Sequence, residues 1–172
     1  MAVRPQLTPP EAVVQEAWDY AGRVMAIVEN RPSYTSKGTR PNYFWGYLGE
    51  WALVSWLSVY GIRATWQPQA TGRPDDGDIF AGGIVIDAKA LPKPTHRHLM
   101  IPEAQFKRHH NRDLYVPVMN IGDGKRTMRV LGAVSRGTME VYGEVIETAY
   151  PTRRLPLTQL DHRAESLPRL LR

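Results

Sequence analysis

Apolar residues recur at helical spacing twice in the first third of the chain. Val13, Val14, Ala17, Tyr20, Ala21, Val24 and Ile27 share one face. Thr8-Pro9-Pro10-Glu11 before them supplies a cap, a proline first turn and an acid, so a helix is expected from there to about Asn30-Arg31-Pro32. Residues 31–43 are polar, basic and rich in turn formers, which predicts a mobile loop. Residues 44–60 are then apolar almost all round and stop at Gly61, the pattern of a buried helix. Gly46 and Gly49 weaken that helix by ~1 kcal/mol each relative to Ala, so another backbone is expected to approach closely.

Beyond Gly61 the pattern turns strand-like. Residues 62–67 predict one strand. Asp78–Ala81 and Ile84–Ala90 predict a hairpin closed by Gly82-Gly83. Residues 91–101, with His96-Arg97-His98, are expected as a loop, and a short helix is expected from Pro102 with Glu103 in its first turn. Leu114–Ile121 and Thr127–Ser135 predict two more strands joined by Gly122-Asp123-Gly124. The expected fold class is α/β, a mixed central sheet flanked by helices. One domain spans 1–172, with a core of about 43–135 and an extension over 136–172.

Composition narrows the chemistry. The absence of cysteine excludes disulfides and thiolate metal sites. Any metal would be held by oxygen or imidazole, which favours Mg²⁺ or Mn²⁺. A net charge of +5 suits nucleic-acid binding without requiring it. The N-terminal residues lack the apolar core of a signal peptide, and no apolar run approaches the ~20 residues of a membrane span. The expectation is an intracellular, cytoplasmic protein with no membrane partner.

The hairpin supports a geometric argument. With Gly82 and Gly83 as the loop, Ala81 pairs with Ile84, Phe80 with Val85, Ile79 with Ile86 and Asp78 with Asp87. Opposed residues have Cβ atoms ~5 Å apart on one face. Two carboxylates so placed repel, and a divalent cation between them reverses that. Lys89, two residues past Asp87, projects from the same face. A slip of one residue would separate the pair. Glu50 has Gly46, Tyr47, Leu53 and Val54 as helical neighbours, a largely apolar setting in which a charge needs a partner. That partner is a shared cation or an arginine, unless the side chain reaches to solvent.

In the order Glu50, Asp78, Asp87-Ala88-Lys89, the chain resembles the PD-(D/E)XK nuclease superfamily, the restriction-endonuclease-like proteins. The resemblance runs from about residue 43 to 121. It is carried by Gly49-Glu50-Trp51-Ala52, by Gly77-Asp78-Ile79 and by Asp87-Ala88-Lys89. It implies Mg²⁺ or Mn²⁺ held by Asp78 and Asp87 with the Ala88 carbonyl and Glu50, and Lys89 acting on the attacking water. Pro74-Asp75 offers an alternative Pro-Asp, but Asp75 has the wrong parity relative to Asp87. Asp76 has the right parity and is a reserve for Asp78. Some exonuclease-like branches carry Gln and Tyr one helical turn apart after the Lys. Here Gln105 is followed by His109, and Gln105 keeps a place near the metal water or the DNA.

Basic residues flank these motifs. Lys37 and Arg40 precede the second helix, and Lys93, Lys107, Arg108 and Arg112 follow the Asp-x-Lys strand with only Glu103 opposing them. They are candidates for phosphate contacts or a solvated surface. His96 and His98 lack an obvious third ligand for zinc. Trp45, Trp51 and Trp56 lie on the apolar helix and are expected in the core rather than against bases. The resemblance thus implies a DNA-cleaving enzyme, endonuclease or exonuclease, possible as a homodimer, of a kind suited to a phage or mobile element. A nuclease for RNA or branched junctions, a non-cleaving nucleic-acid-binding or assembly protein of this fold, and a plain interaction domain remain open.

Overall fold

The computed structural model describes residues 6–29, 38–68 and 79–172. In chain order these form β1 (Gln6–Leu7), α1 (Glu11–Glu29), α2 (Arg40–Val59), β2 (Ala64–Trp66), β3 (Ile79–Ala81), β4 (Ile84–Leu91) and β5 (His98–Pro102). There follow α3 (Glu103–Arg108), β6 (Leu114–Asn120), β7 (Met128–Val130), β8 (Gly132–Ser135), α4 (Arg136–Tyr142), β9 (Glu144–Ile146), β10 (Thr152–Pro156), β11 (His162–Arg163) and α5 (Leu167–Leu170).

The main sheet runs β1-β7-β6-β4-β3-β2, with β8 also on β6 and β11 on β8. Among the described strands only β4 and β6 pair in parallel; the other described neighbours are antiparallel, so the sheet is mixed. A second sheet, β5-β10-β9, stands apart from it. The fold class is mixed α/β, a central mixed sheet flanked by helices.

Strand alternation sorts the layers. Ile86 and Ala88 of β4 and Leu114, Val116 and Val118 of β6 enter one core with Ala52, Leu53, Trp56 and Leu57 of α2. On the other face Tyr115 packs with Phe106 of α3, Val134, Met139 and the Leu99, Ile101 and Leu155 of the second sheet. α1 covers α2 from outside through Val14, Ala17 and Ala21 against Phe44, Tyr47 and Leu48. Residues from Arg136 onward supply Leu155 to one core and Ala164, Leu167 and Leu171 to the other.

α1 is helical through Glu29, and its expected end near Asn30-Arg31-Pro32 lies outside the described residues; α2 starts earlier than expected. Thr39 stands at its N-terminus with Pro41 in the first turn, so Arg40 belongs to the helix rather than to a loop. Gly49 meets the expectation of close approach: a Cβ there would lie 3.0 Å from the Ala90 Cβ. Gly46 does not: among the described residues nothing lies within 4 Å of its Cβ position. Trp56 is fully buried, and Trp45 and Trp51 pack on the same core while partly exposed.

The hairpin register is the expected one: Ala81 faces Ile84, Phe80 faces Val85 and Ile79 faces Ile86. Gly82 and Gly83 both take positive φ, 58° and 75°, as a two-residue hairpin loop of this type requires. The continuation to Asp78, and Asp75, Asp76 and Lys37 with it, lies outside the described residues. Two strand expectations are corrected. His98–Pro102 is a strand because β10 pairs along its whole length, Thr152 with Pro102 through Pro156 with His98. The Thr127–Ser135 run breaks before Gly132, with β7 on Val118–Asn120 and β8 on Leu114–Tyr115.

Candidate active site

β4 carries the first two site residues. Its even positions pack toward α2, so Asp87 and Lys89 alternate onto the α3 face. Asp87 is 1% exposed, and its Oδ2 lies 2.9 Å from Lys89 Nζ. α3 delivers the third residue: Lys89 Nζ donates to Gln105 Oε1 at 3.3 Å. Asp87, Lys89 and Gln105, expected together from sequence, therefore meet.

The turn after α3 brings a fourth group that sequence placed elsewhere. Arg112 was expected on the nucleic-acid surface. It is instead buried, its side chain 0% exposed, with Nε 3.3 Å from Asp87 Oδ2. The cause is the chain path. The Arg112 N–H bonds the His109 carbonyl, and the next residue, Asp113, exchanges bonds with Val85 at the start of β4. This folds Arg112 back under the sheet, where a buried carboxylate offers the counter-charge a guanidinium needs. Lys93, Lys107 and Arg108 do stand at the surface. Arg40 is exposed too; its guanidinium lies 4.3 Å over the Trp18 ring and donates to the Trp18 carbonyl.

Three further residues line this side. Tyr115 stands directly across from Asp87 in the parallel register, and burial and the Asp87 charge raise its pKa. Its hydroxyl accepts from Arg136 Nη1, which also donates to the Phe106 and His109 carbonyls. His109 is buried and pushed down to about 4, by desolvation and then by the Arg112 charge. The signal for Tyr115 was a lone hydroxyl in an apolar strand, but its meaning depends on which strand pairs with β4.

Glu50 sits on the α2 side. Its Oε2 accepts from Trp66 Nε1 at 2.6 Å, and Trp66 pairs with Ile79, whose side chain is in the α2 core. It also helps raise the pKa of Tyr47, after burial and Glu16. Sheet alternation thus separates the described contact of Glu50 from Asp87 and Lys89. The described pairing of β3 with β4 reaches Ile79–Ile86, where the described residues begin.

The groups named from sequence for a cation, the Glu50 and Asp87 carboxylates and the Ala88 carbonyl, are all oxygen donors as a hard divalent ion prefers, but the described contacts hold Glu50 on the α2 side and Asp87 beside Lys89 and Arg112 on the other. Among the described residues no three His, Asp or Glu side chains converge, and Asp78 lies outside them. Among them, too, no helix is long and apolar enough to cross a membrane. Compared with known proteins, the chain matches no family model, no curated relative and no solved structure.

Proposed function

We propose that this chain is a Mg²⁺- or Mn²⁺-dependent nuclease with a restriction-endonuclease-like core, hydrolysing phosphodiester bonds in DNA. The observation that carries the reading is the meeting of Asp87, Lys89 and Gln105 from β4 and α3, beside a hairpin whose described register runs from Ala81–Ile84 to Ile79–Ile86. Asp87, Asp78, Glu50 and the Ala88 carbonyl would hold the cation. When bound, it supplies Lewis acidity to the phosphoryl group and makes water a better nucleophile. Lys89 sets an ammonium where negative charge grows on the phosphoryl oxygens. Gln105 fixes the direction of that ammonium through the 3.3 Å hydrogen bond. Lys93, Lys107 and Arg108 present cations on the chain that flanks the site.

One observation favours a second reading, a non-cleaving nucleic-acid-binding protein of this fold. Asp87 already faces two cations, Lys89 and Arg112. Incubation with linear, circular and single-stranded DNA in Mg²⁺, Mn²⁺ or EDTA separates the two. Metal-dependent cutting that falls at least a hundredfold in both Asp87→Asn and Lys89→Ala is expected. Tight, salt-sensitive binding without cutting of any substrate would select the second reading.

A further inference from the structure

Strand alternation puts a further arginine on the sheet face that carries Asp87 and Lys89. Met128 and Val130 of β7 pack into the α2 core with Val116 and Val118 of β6, so Arg129 between them points to the opposite side. It pairs with Met119 of β6, which pairs in turn with Leu91 of β4, two residues past Lys89. Arg129 therefore stands two strands across from β4, about 10 Å, and about 7 Å further along the strands than Lys89. On its other side its partner is the exposed Gln6 of β1.

This arginine is a fixed charge with nothing to neutralise it. Its Nε is enclosed and finds no hydrogen-bond acceptor among the described residues, while Nη1 and Nη2 are not enclosed in this way. None of the described ion pairs involves it. The acid of the β6–β7 turn, Asp123, is bound within its own turn, accepting from the Lys125 and Thr127 N–H groups and from the Thr127 hydroxyl. A surface arginine ordinarily lays its stem on apolar neighbours and keeps its whole head in water. Here packing reaches as far as Nε. That costs the fold a desolvated donor, and it holds the outer edge of the guanidinium in one place.

We propose that Arg129 is a phosphate-binding residue that takes a backbone phosphate of the nucleic-acid strand reaching Asp87 and Lys89. The inference rests on the nucleic-acid part of the reading above and adds where the strand runs: across β6 and β7, away from β4. Two open guanidinium nitrogens make a donor edge that matches two phosphate oxygens. The spacing from Lys89 suits different phosphates of one strand rather than a shared one. Met119 lies between, partly exposed, and offers the sugars an apolar surface. Exposed Lys93 stands at the same end of the sheet, because the Pro92 carbonyl before it accepts from Asn120, the residue after Met119.

The test uses the full chain in EDTA, first in phosphate-free buffer and then with inorganic phosphate at matched ionic strength. Without phosphate, Arg129→Met is expected to melt about 2–4 °C higher than the wild type, because a desolvated donor without an acceptor is removed. Phosphate is expected to raise the wild-type melting temperature, and to raise that of Arg129→Met less than half as much. A labelled single-stranded DNA is expected to bind Arg129→Met about tenfold more weakly, with a salt slope lower by ~0.7, the share of one phosphate. Arg129→Lys keeps the charge and is expected to lose less than about threefold. Arg169→Met removes an exposed charge from α5, whose Leu167 packs in the α2 core, and is expected to change DNA binding by less than about twofold. An arginine that only supports the fold would make Arg129→Met melt lower than the wild type in phosphate-free buffer, which overturns the proposal. DNA binding by Arg129→Met within about twofold of the wild type overturns it too, and a phosphate effect in the melts alongside would leave a site for free phosphate only. Weakened binding as expected, with no cutting by any variant in Mg²⁺ or Mn²⁺, sinks the nuclease reading and supports this inference. Metal-dependent cutting with DNA binding unchanged in Arg129→Met sinks this inference alone.

Discussion

His109 gives the site its pH signature. Burial, and then the charge of Arg112, push its folded pKa down to about 4, against ~6.5 for an unperturbed imidazole. Between those values the unfolded chain binds the proton and the folded chain does not. The stability of the neutral, buried ring is therefore full above pH ~6.5 and is lost as pH falls toward 4. After allowance for partial hydration the loss is on the order of 2 kcal/mol. Urea unfolding of His109→Gln at pH 7.0 and pH 4.5 is expected to show a smaller difference than the wild type. An equal difference would place the acid sensitivity on other groups. Two glycines of α2 give residue-scale predictions of opposite sign. At Gly49 a methyl would press on Ala90 at 3.0 Å, so Gly49→Ala is expected to destabilise by ~1–2 kcal/mol despite its helical gain. At Gly46 no described residue lies within 4 Å of an added methyl, so Gly46→Ala is expected to stabilise by ~0.5–1 kcal/mol. Thermal melts read both, at ~2–4 °C per kcal/mol for a chain of this size.

At the scale of elements, α3 is six residues long and too short to hold itself. Two arginines from the C-terminal part of the chain fix it. The Arg136 and Arg153 guanidiniums lie 4.2 Å and 4.7 Å from the Phe106 ring centre. Arg153 also holds Glu103 through two bonds, Nε to Oε2 at 2.9 Å and Nη2 to Oε1 at 3.0 Å, which lowers the Glu103 pKa. Arg153→Met leaves a buried carboxylate without its main partner and is expected to cost ~3 kcal/mol in urea unfolding. Adding Glu103→Gln is expected to return part of that; a double variant no better than the single would assign the loss to Phe106 packing. Since α3 carries Gln105, under the proposed nuclease reading the same variant is expected to lower turnover more than substrate affinity. The arginines that fix α3 were not legible in the sequence, where Glu103 stood as a first-turn acid and as the one acid among basic residues. What was legible is local: the Thr8-Pro9-Pro10-Glu11 start of α1, the apolar run of α2 and the Gly82-Gly83 turn each specify their geometry within a few residues. β5 was missed because His98–Pro102 becomes a strand through β10, fifty residues further on.

At the scale of the whole molecule, the same limit explains which half of the site could be read ahead. Asp87 and Lys89 share a face by strand period alone, and Gln105 needed only a short helix following. Arg112, Tyr115 and the sidedness of Glu50 depend on the parallel pairing of β4 with β6 and on which face α2 covers, and no short-range pattern carries either. The corrected position of Arg112 also changes the surface account. With Arg112 inside, the flank beside the site presents Lys93, Lys107 and Arg108, Lys107 being 74% exposed and only 3.5 Å from Glu103 in a weak surface pair. If these cations meet phosphates, each contact releases counterions, and log Kobs falls with log salt by ~0.9 per phosphate. Lys107→Ala with Arg108→Ala is therefore expected to reduce that slope by nearly two in duplex-binding titrations, and to weaken binding evenly across sequences. Arg40→Ala, near the start of α2 beside Trp18, is the contrast. Ten residues of helix, about 15 Å, separate it from Glu50. An unchanged slope in the double variant and a reduced one in Arg40→Ala would move the nucleic-acid track from the α3 face to the α2 face. Glu50, rather than Gln105, would then be the residue nearest the bound strand.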